Sequence, residues 1–350
     1  MRSFSGKVTR LMVSMCLLAI TASAADPYSV VLGGLQSPRG LSFGPGGLLY
    51  VAQAGLGGNT GKITEIRYPW RASPGTRDIV TGLISVGSEG EFVGVDGVSV
   101  LGNGGIYAIM ALSNRGLGFS SRLGHLLKIS QGGEIRDIAN VGDFDFDWAN
   151  QHFDLVPTDF PDSDPYGVLA LPDKIFIADA GTNSLSMVRP NGLTQIIAFF
   201  PNNIIADSTP TCIAQGPDGA LYIGTLALFD SLVFGPSAVV YRVDPSATDS
   251  SDFNSILNIA TPWATGLWPI NGCAFGPDGT FYASQLFTNQ QFGGGDVIKI
   301  PFDTPEIHTS LTSGALLFPA GVAVGPDAHV YVSNGAAFVP EGQVVRLRNH

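Results

Sequence analysis

The sequence is poor in charge, and poorest in positive charge: Asp, Glu, Lys and Arg make up 13% of 350 residues, with 18 basic side chains against 29 acidic ones. Three of the bases, Arg2, Lys7 and Arg10, fall at the extreme N-terminus, and no Lys/Arg cluster follows them. A nucleic-acid partner is therefore not expected, because binding phosphates needs a basic footprint. Long apolar runs are missing as well. The run at residues 11–20 is about half of the roughly 20 residues needed to span a bilayer. The sequence also lacks GxSxG, HExxH, the phosphate-cradling GxxxxGK[ST] and an EF-hand loop, so no familiar catalytic signature is present. Disorder is excluded in turn, since 45% of the residues are hydrophobic.

The N-terminal bases, the apolar run and the small residues Ala22-Ser23-Ala24 together read as a secretory signal peptide over residues 1–24, cleaved after Ala24. The leader removes three bases and no acid, leaving 15 bases against 29 acids and a net charge of −14. The mature chain, 25–350, is expected to be one domain, exported to the extracellular space or periplasm, with no membrane span and monomeric. Cys16 leaves with the leader, so Cys212 and Cys273 are the remaining thiols. An exported pair invites a disulfide. The two sit one residue out of step in equivalent strands of neighbouring repeats, which points their side chains to opposite faces. The expectation is two buried small apolar residues.

What the chain has in abundance is glycine, 45 residues, arranged in a repeat. Six units each carry an apolar strand, a Gly/Pro/Asp turn and a second apolar strand with a central aromatic. They start at Pro38-Arg39-Gly40, Val95-Asp96-Gly97, Pro165-Tyr166-Gly167, Pro210-Thr211-Cys212, Ile270-Asn271-Gly272 and Pro319-Ala320-Gly321. GPGG, GNGG, GPDG twice and GPDA are turns that a tight hairpin demands. Third strands follow at residues 61–66, 124–129, 183–188, 238–243, 295–300 and 342–347. Fourth strands follow at 77–83, 134–141, 193–200, near 256–266, and at 307–316. Only five units carry their own fourth strand. The segment YSVVLGGL, 28–35, resembles RDIVTGL and precedes the first inner strand, so it is expected to complete the last unit. The pattern predicts an all-β, six-bladed β-propeller closed by its N-terminal strand.

The insertions choose one side. The turns between first and second strands stay short, whereas the opposite face receives residues 84–94, 113–123, 142–164, 225–236 and 285–294. Variable loops on a rigid scaffold are where binding usually resides. The longest holds Asp143, Phe144, Asp145, Phe146, Asp147, Trp148, Phe153, Asp154, Asp159, Phe160, Asp162 and Asp164, with no base. Such a rim suits sugars, aromatic ligands or a cation; alternatively its aromatics cap the blade ends and its acids face water. The residue before each inner-strand glycine position should look into the central channel: Arg39, Asp96, Tyr166, Thr211, Asn271 and Ala320. The first five form a candidate ligand-binding ring, or the lining of a wet structural channel. His152 is the one histidine in the insertions, and Asp179 is expected to order a turn through its own backbone.

The repeats and ADAGTNSL, together with AQAGLGG, DSDPYGVLAL, PTCIAQGPDGALYIG and GVAVGPDAHVYVSNG, resemble the ScyD/ScyE family of exported bacterial propellers across nearly all of residues 28–348. That resemblance implies an NHL-like propeller accessory to production of an extracellular metabolite, with no agreed reaction. The related SMP-30/gluconolactonase-like hydrolases bind a divalent metal through channel residues. Asp96 and Asn271 match those in kind, which would make them ligands for a cation such as Ca2+. A glutamate those enzymes use is replaced here by Arg39, and Glu89 or Glu91 would have to stand in for it. The leading expectation is a non-catalytic exported propeller binding a small molecule, glycan or protein on its loop-rich face. A metal-dependent lactonase or other hydrolase is the alternative.

Overall fold

The computed structural model describes residues 26–117, 121–201, 207–247 and 252–348; the expected leader, residues 1–24, lies outside the described residues. Six antiparallel sheets surround one axis. From the axis outward, blade 1 is Pro38–Gly44, Leu48–Gln53, Gly58–Arg67 and Gly75–Ser88. Blade 2 is Val95–Val100, Ile106–Met110, His125–Ile129 and Ile135–Asn140. Blade 3 is Pro165–Leu171, Lys174–Asp179, Ser184–Val188 and Thr194–Phe199. Blade 4 is Pro210–Gln215, Leu221–Thr225, Ala238–Val243 and Thr261–Leu267. Blade 5 is Ile270–Phe275, Phe281–Gln285, Asp296–Ile300 and the short Thr309–Ser310. Blade 6 joins Val322–Val324, Val330–Asn334 and Gly342–Leu347 to the N-terminal strand Tyr28–Leu35, which pairs Tyr28 with Leu347 and Leu35 with Gly342. Innermost strands of successive blades touch all the way round, and blade 6 touches blade 1.

The recurring Asp and Tyr of the short turns have a shared structural use. In blade 6, one carboxylate oxygen of Asp327 accepts the His329 backbone N–H, while the other accepts from the Tyr331 hydroxyl and Arg346 Nε, both at 2.9 Å. Asp218 does the same in blade 4 with Ala220, Tyr222 and Arg242. One acid thus closes the turn and ties the second strand to the third. Burial opposes the charge, but the arginines and the other donors outweigh it and hold both carboxyls below their ordinary range. Their contribution is therefore lost as pH falls through that lowered value.

The inner strands carry a bulge at the same place in blades 1 to 5. In blade 3, Pro165 pairs with Asp179 and Gly167 with Ala178, leaving Tyr166 as the extra residue, and the same shift spans Val95/Gly97, Pro210/Cys212 and Ile270/Gly272. A bulge re-aims one side chain out of the pleat, here toward the axis. The glycine that follows meets the next blade. A Cβ on Gly97 would lie 2.7 Å from the Tyr166 carbonyl oxygen, and one on Gly272 would lie 2.3 Å from that of Ala320. Hydroxyls bridge the same seams: Thr211 Oγ1 donates to the Ile270 carbonyl and Ser333 Oγ to that of Arg39, each at 2.6 Å.

Blade 4 has Cys212 where the other blades place that glycine or its neighbour, and here the sequence expectation is corrected. Cys212 and Cys273 form a disulfide, with Cα atoms 5.7 Å apart. Side chains one residue out of step do leave opposite faces of their sheets. But blades stack face to face, so the forward face of blade 4 and the rear face of blade 5 look at each other. Both cysteines sit in the apolar layer between those blades, with Tyr222, Ile270, Phe281 and Ile298.

Among the described residues, four short helices interrupt the connections: α1 (Asn114–Leu117), α2 (Val141–Gln151), α3 (Leu228–Phe234) and α4 (Phe253–Asn258). Asn140 caps α2 by accepting the Asp143 N–H at 3.1 Å, and Asp252 caps α4 likewise. The fourth strand of blade 4, expected from about residue 256, therefore begins later, at Thr261. The long insertion is no loose loop. Its Ala149, Val156 and Phe160 are buried with Ile196, Phe199 and Ile256, and His152 stacks between Trp148 and Phe253 at 4.5 and 4.6 Å. Its aromatics thus cover the outer edge of blade 3.

Two staples can be compared directly. The disulfide closes 61 residues of chain, so the Cys212→Ala, Cys273→Ala double variant should lose about 2–4 kcal/mol. Deleting residues 26–35 strips Val31, Leu32 and Leu35 from the layer they share with Leu41, Leu49 and Val344. At about 1.5–3 kcal/mol per buried aliphatic side chain, that deletion should cost more. Guanidinium unfolding of both variants checks the order, and the reverse order would contradict closure by the N-terminal strand.

Candidate functional site

The bulges bring Asp96, Tyr166, Thr211 and Asn271 onto the wall of one axial cavity of about 70 Å³. Arg39 departs from the expectation. By blade count it faces Thr211, yet its side chain runs sideways across blades 2 and 3. Its guanidinium donates to the Phe92 carbonyl at 2.7 Å and to the Tyr166 hydroxyl at 3.2 Å, and Nε stands 4.0 Å from Asp96 Oδ2. Only 6% of Arg39 and 1% of Asp96 remain exposed, so this is a buried ion pair. The other Asp96 oxygen accepts the Gly94 N–H at 2.9 Å. Arg39 Nε and Asp96 Oδ2 have no hydrogen-bond partner, so they answer each other by charge alone.

Burial opposes the Arg39 charge, but Tyr166, Asp96 and Asp164 hold its guanidinium above its ordinary range. Burial pushes the Asp96 carboxyl up, against the pull of Arg39. Asp164 precedes the inner strand of blade 3 and accepts the Leu112 N–H at 3.0 Å. Burial, with Asp96 and Asp179 nearby, pushes its carboxyl up to about 8.

The rest of the ring is occupied in holding blades together. Thr211 bonds the Ile270 carbonyl, as above, and Asn271 Nδ2 donates to the Pro319 carbonyl at 3.1 Å. Ala320 contributes no polar group. A cavity of about 70 Å³ admits a few waters, at roughly 10–15 Å³ each, whereas small-molecule pockets run from about 300 Å³. As a cation site the ring fits poorly. The one carboxylate among the expected ligands is already paired with an arginine, whose charge opposes a second cation there. Among the described residues no group of three or more His, Cys, Asp or Glu side chains is arranged to hold a metal. Glu91 starts the edge strand Glu91–Val93, exposed and paired opposite Ser88, and it does not join the ring.

The loop face has a feature the sequence reading missed. Among the described residues, eight large apolar side chains are more than half exposed, and six of them, Phe229, Val233, Phe234, Phe292, Leu317 and Phe338, lie on this face in blades 4 to 6. Their segments adjoin. Gln290 donates to the Val233 carbonyl at 2.9 Å, Phe287 packs edge-on against Phe292 at 5.1 Å and Phe318 against Phe338 at 5.3 Å, and the Phe338 N–H bonds the Gly90 carbonyl at 2.7 Å. The readable signal was the apolar run LALFDSLVFG in a connection that has no strand to bury it. Acids instead dominate the neighbouring blade 2 to 3 insertion.

The chain matches no family model and no curated protein sequence. Solved structures share its fold. It is similar to regucalcin, a calcium-binding protein from Agrobacterium tumefaciens, at 12% identity over 93% of this chain and 95% of the other, with a TM-score of 0.56. A putative gluconolactonase gives 12% identity over 93% and 94% at 0.55. An inactive variant of virginiamycin B lyase from Staphylococcus aureus, bound to quinupristin, gives 15% over 90% and 84% at 0.52. At these identities the likeness is one of fold, the six-bladed propeller.

Two outcomes follow from the buried ring. Arg39→Met leaves Asp96 buried without its partner and should cost about 3–5 kcal/mol, whereas adding Asp96→Leu should recover most of that loss in chemical denaturation. Asp164, raised to about 8 from 3.8, binds a proton in the folded chain over a range where the unfolded chain has released it. Its share of stability is full below about pH 4 and lost as pH rises through about 8. Thermal midpoints measured across that window should fall for the native protein and fall less for Asp164→Asn.

Proposed function

We propose that the protein is an exported, non-catalytic binding propeller that engages a protein or peptide partner through the apolar crescent on its loop face. The observation that carries this reading is the concentration of half-exposed aromatic and aliphatic side chains on one face of blades 4 to 6. Soluble monomers rarely expose contiguous apolar patches, and those that do commonly use them for recognition. Aromatic anchors are the side chains that dominate such contacts. The axis, by contrast, is narrow and its polar groups are occupied. Export is supported by the leader-like first 24 residues and by the disulfide, a bond that persists in oxidising compartments. An accessory role in producing an extracellular metabolite, as the family resemblance implies, fits a partner-binding protein.

The hydrolase reading has one observation in its favour, that Asp96 and Asn271 line the same cavity. It is tested by metal analysis of the purified protein and by thermal shift with Ca2+; stoichiometric metal lost on Asn271→Ala would revive it.

The crescent is tested by selecting peptides from a displayed random library against the immobilised protein. Aromatic-rich binders should emerge, and Phe229→Ser or Phe338→Ser should weaken them at least tenfold. Leu193→Ser, equally exposed on the opposite face, should not. Binders indifferent to the crescent substitutions would overturn the proposal.

A further inference from the structure

Helix α2 carries Asp145 inward, and nothing of this side chain is exposed. Asp179, at the end of the second strand of blade 3, is equally buried. Asp145 accepts from Ser186 Oγ, and Ser186 stands two residues along the same strand face from Ser184, the cross-strand partner of Asp179, so the two carboxyls meet on one face of blade 3. No base answers them. Among the described residues neither pairs with Lys, Arg or His, and the bases of this region, Arg115, Arg122 and His125, are paired at the surface with Asp147 and Asp137. The neighbouring acids offer no counter-charge either: burial and the Asp179 charge push the Asp162 and Asp164 carboxyls up. Within α2, Asp143 is turned to Ser113 and Asn140, away from the pair. Two bare carboxylates sealed together without a counter-charge are not sustainable.

Hydrogen-bond accounting shows where the neutralising charge belongs. Asp179 Oδ1 accepts the backbone N–H groups of Asp164, Gly181 and Thr182 at 2.8–3.0 Å, and Oδ2 accepts from Ser163 Oγ at 2.7 Å. Both its oxygens are acceptors. Asp145 Oδ1 accepts from Ser186 Oγ at 2.7 Å, while Asp145 Oδ2 has no partner at all. A carboxylic acid offers one O–H donor, and an ionised one offers none. We propose that Asp145 and Asp179 share one proton, carried on Asp145 Oδ2, and that this proton fastens helix α2 and its insertion to blade 3. The unpartnered oxygen then becomes the donor to Asp179. Burial and the Asp179 charge both push the Asp145 carboxyl well up, in the same direction.

The consequence is a pH-sensitive attachment. When the proton leaves, two buried negative charges face each other across the seam between α2 and blade 3, and the insertion separates there while its apolar side still rests on Phe199 and Ile196. Because Ser163 and Asp164 hang from Asp179, loosening reaches the residues leading into Tyr166 at the channel mouth.

The test uses the full mature protein. Infrared spectra at neutral pH should show a protonated buried carboxyl stretch that Asp145→Asn removes or reduces. Hydrogen exchange of residues 141–160, corrected for intrinsic rates, should lose protection toward alkaline pH by up to tenfold per unit for one proton. Asp145→Asn mimics the protonated acid and should keep its protection flat. Identical pH profiles in the two proteins, or no carboxyl band in the native protein, would overturn the proposal. So would a thermal midpoint raised by Ca2+ or Mg2+ in the native protein and not in Asp145→Asn, because the pair would then hold a cation. Asp164 also carries a proton at neutral pH, so the infrared band is read in an Asp164→Asn background with Asp145 intact, and absence of the band there would overturn the proposal even if Asp145→Asn folds poorly.

Discussion

The rest of the molecule depends on how closely the innermost strands approach one another. At Gly40, Gly97, Gly167, Gly272 and Gly321, in every inner strand but that of blade 4, where Cys212 stands, backbone meets backbone of the next blade with no space for a side chain: the carbonyl of Tyr166 crowds the place of a Gly97 Cβ, that of Thr211 the place of a Gly167 Cβ, and that of Arg39 the place of a Gly321 Cβ. Hydroxyls of Thr211, Ser284 and Ser333 and the Asn271 amide then reach across to neighbouring carbonyls. This contact sets the spacing of the blades and the bore of the channel. It also decides which residue faces the axis, because the glycine's predecessor has to leave the pleat.

A tight bore changes what the ring can do. Side chains that look like a ligand set in one dimension are drawn into the seams, and Arg39, too long for the axis, lies across two blades and neutralises Asp96. Binding is thereby displaced outward, onto loops whose cores are only partly closed. The two sides of that face differ in chemistry: apolar on blades 4 to 6, acidic and helix-covered at the blade 2 to 3 connection. The rigid propeller supplies the platform, while the connections supply the chemistry.

Much of this was legible in the sequence, and the rest was illegible for identifiable reasons. The Pro-x-Gly and GPDG periodicity carries the blade count because each turn has its own backbone requirement, and the leading YSVVLGGL segment was readable as a displaced outer strand by its likeness to RDIVTGL. Asp179 was readable as a turn former, since an aspartate followed by Ala-Gly-Thr bonds its own backbone. The disulfide was not, because strand alternation describes one sheet whereas Cys212 and Cys273 belong to facing surfaces of two. Arg39's lateral reach depends on a bulge geometry that composition does not encode. Helix α4 escaped because Ile256, taken as the start of the fourth strand, packs instead from a helix against the blade 2 to 3 insertion. The crescent escaped because exposure is a property of packing, and an apolar loop reads like a buried one.

The glycine contacts admit the most direct test of the whole account. Gly272→Ala would place its methyl 2.3 Å from the Ala320 carbonyl oxygen, with the Ala320 carbonyl carbon and Gly321 Cα next at 2.9 Å and no flexible side chain nearer to yield. Gly102, in a short turn, has nothing within 4 Å of the same added carbon. Overpacking of rigid surroundings costs about 1–3 kcal/mol, so Gly272→Ala should unfold at a clearly lower denaturant midpoint while Gly102→Ala should match the native protein. Equal midpoints for the two variants would contradict the claim that inner-strand contact governs the fold.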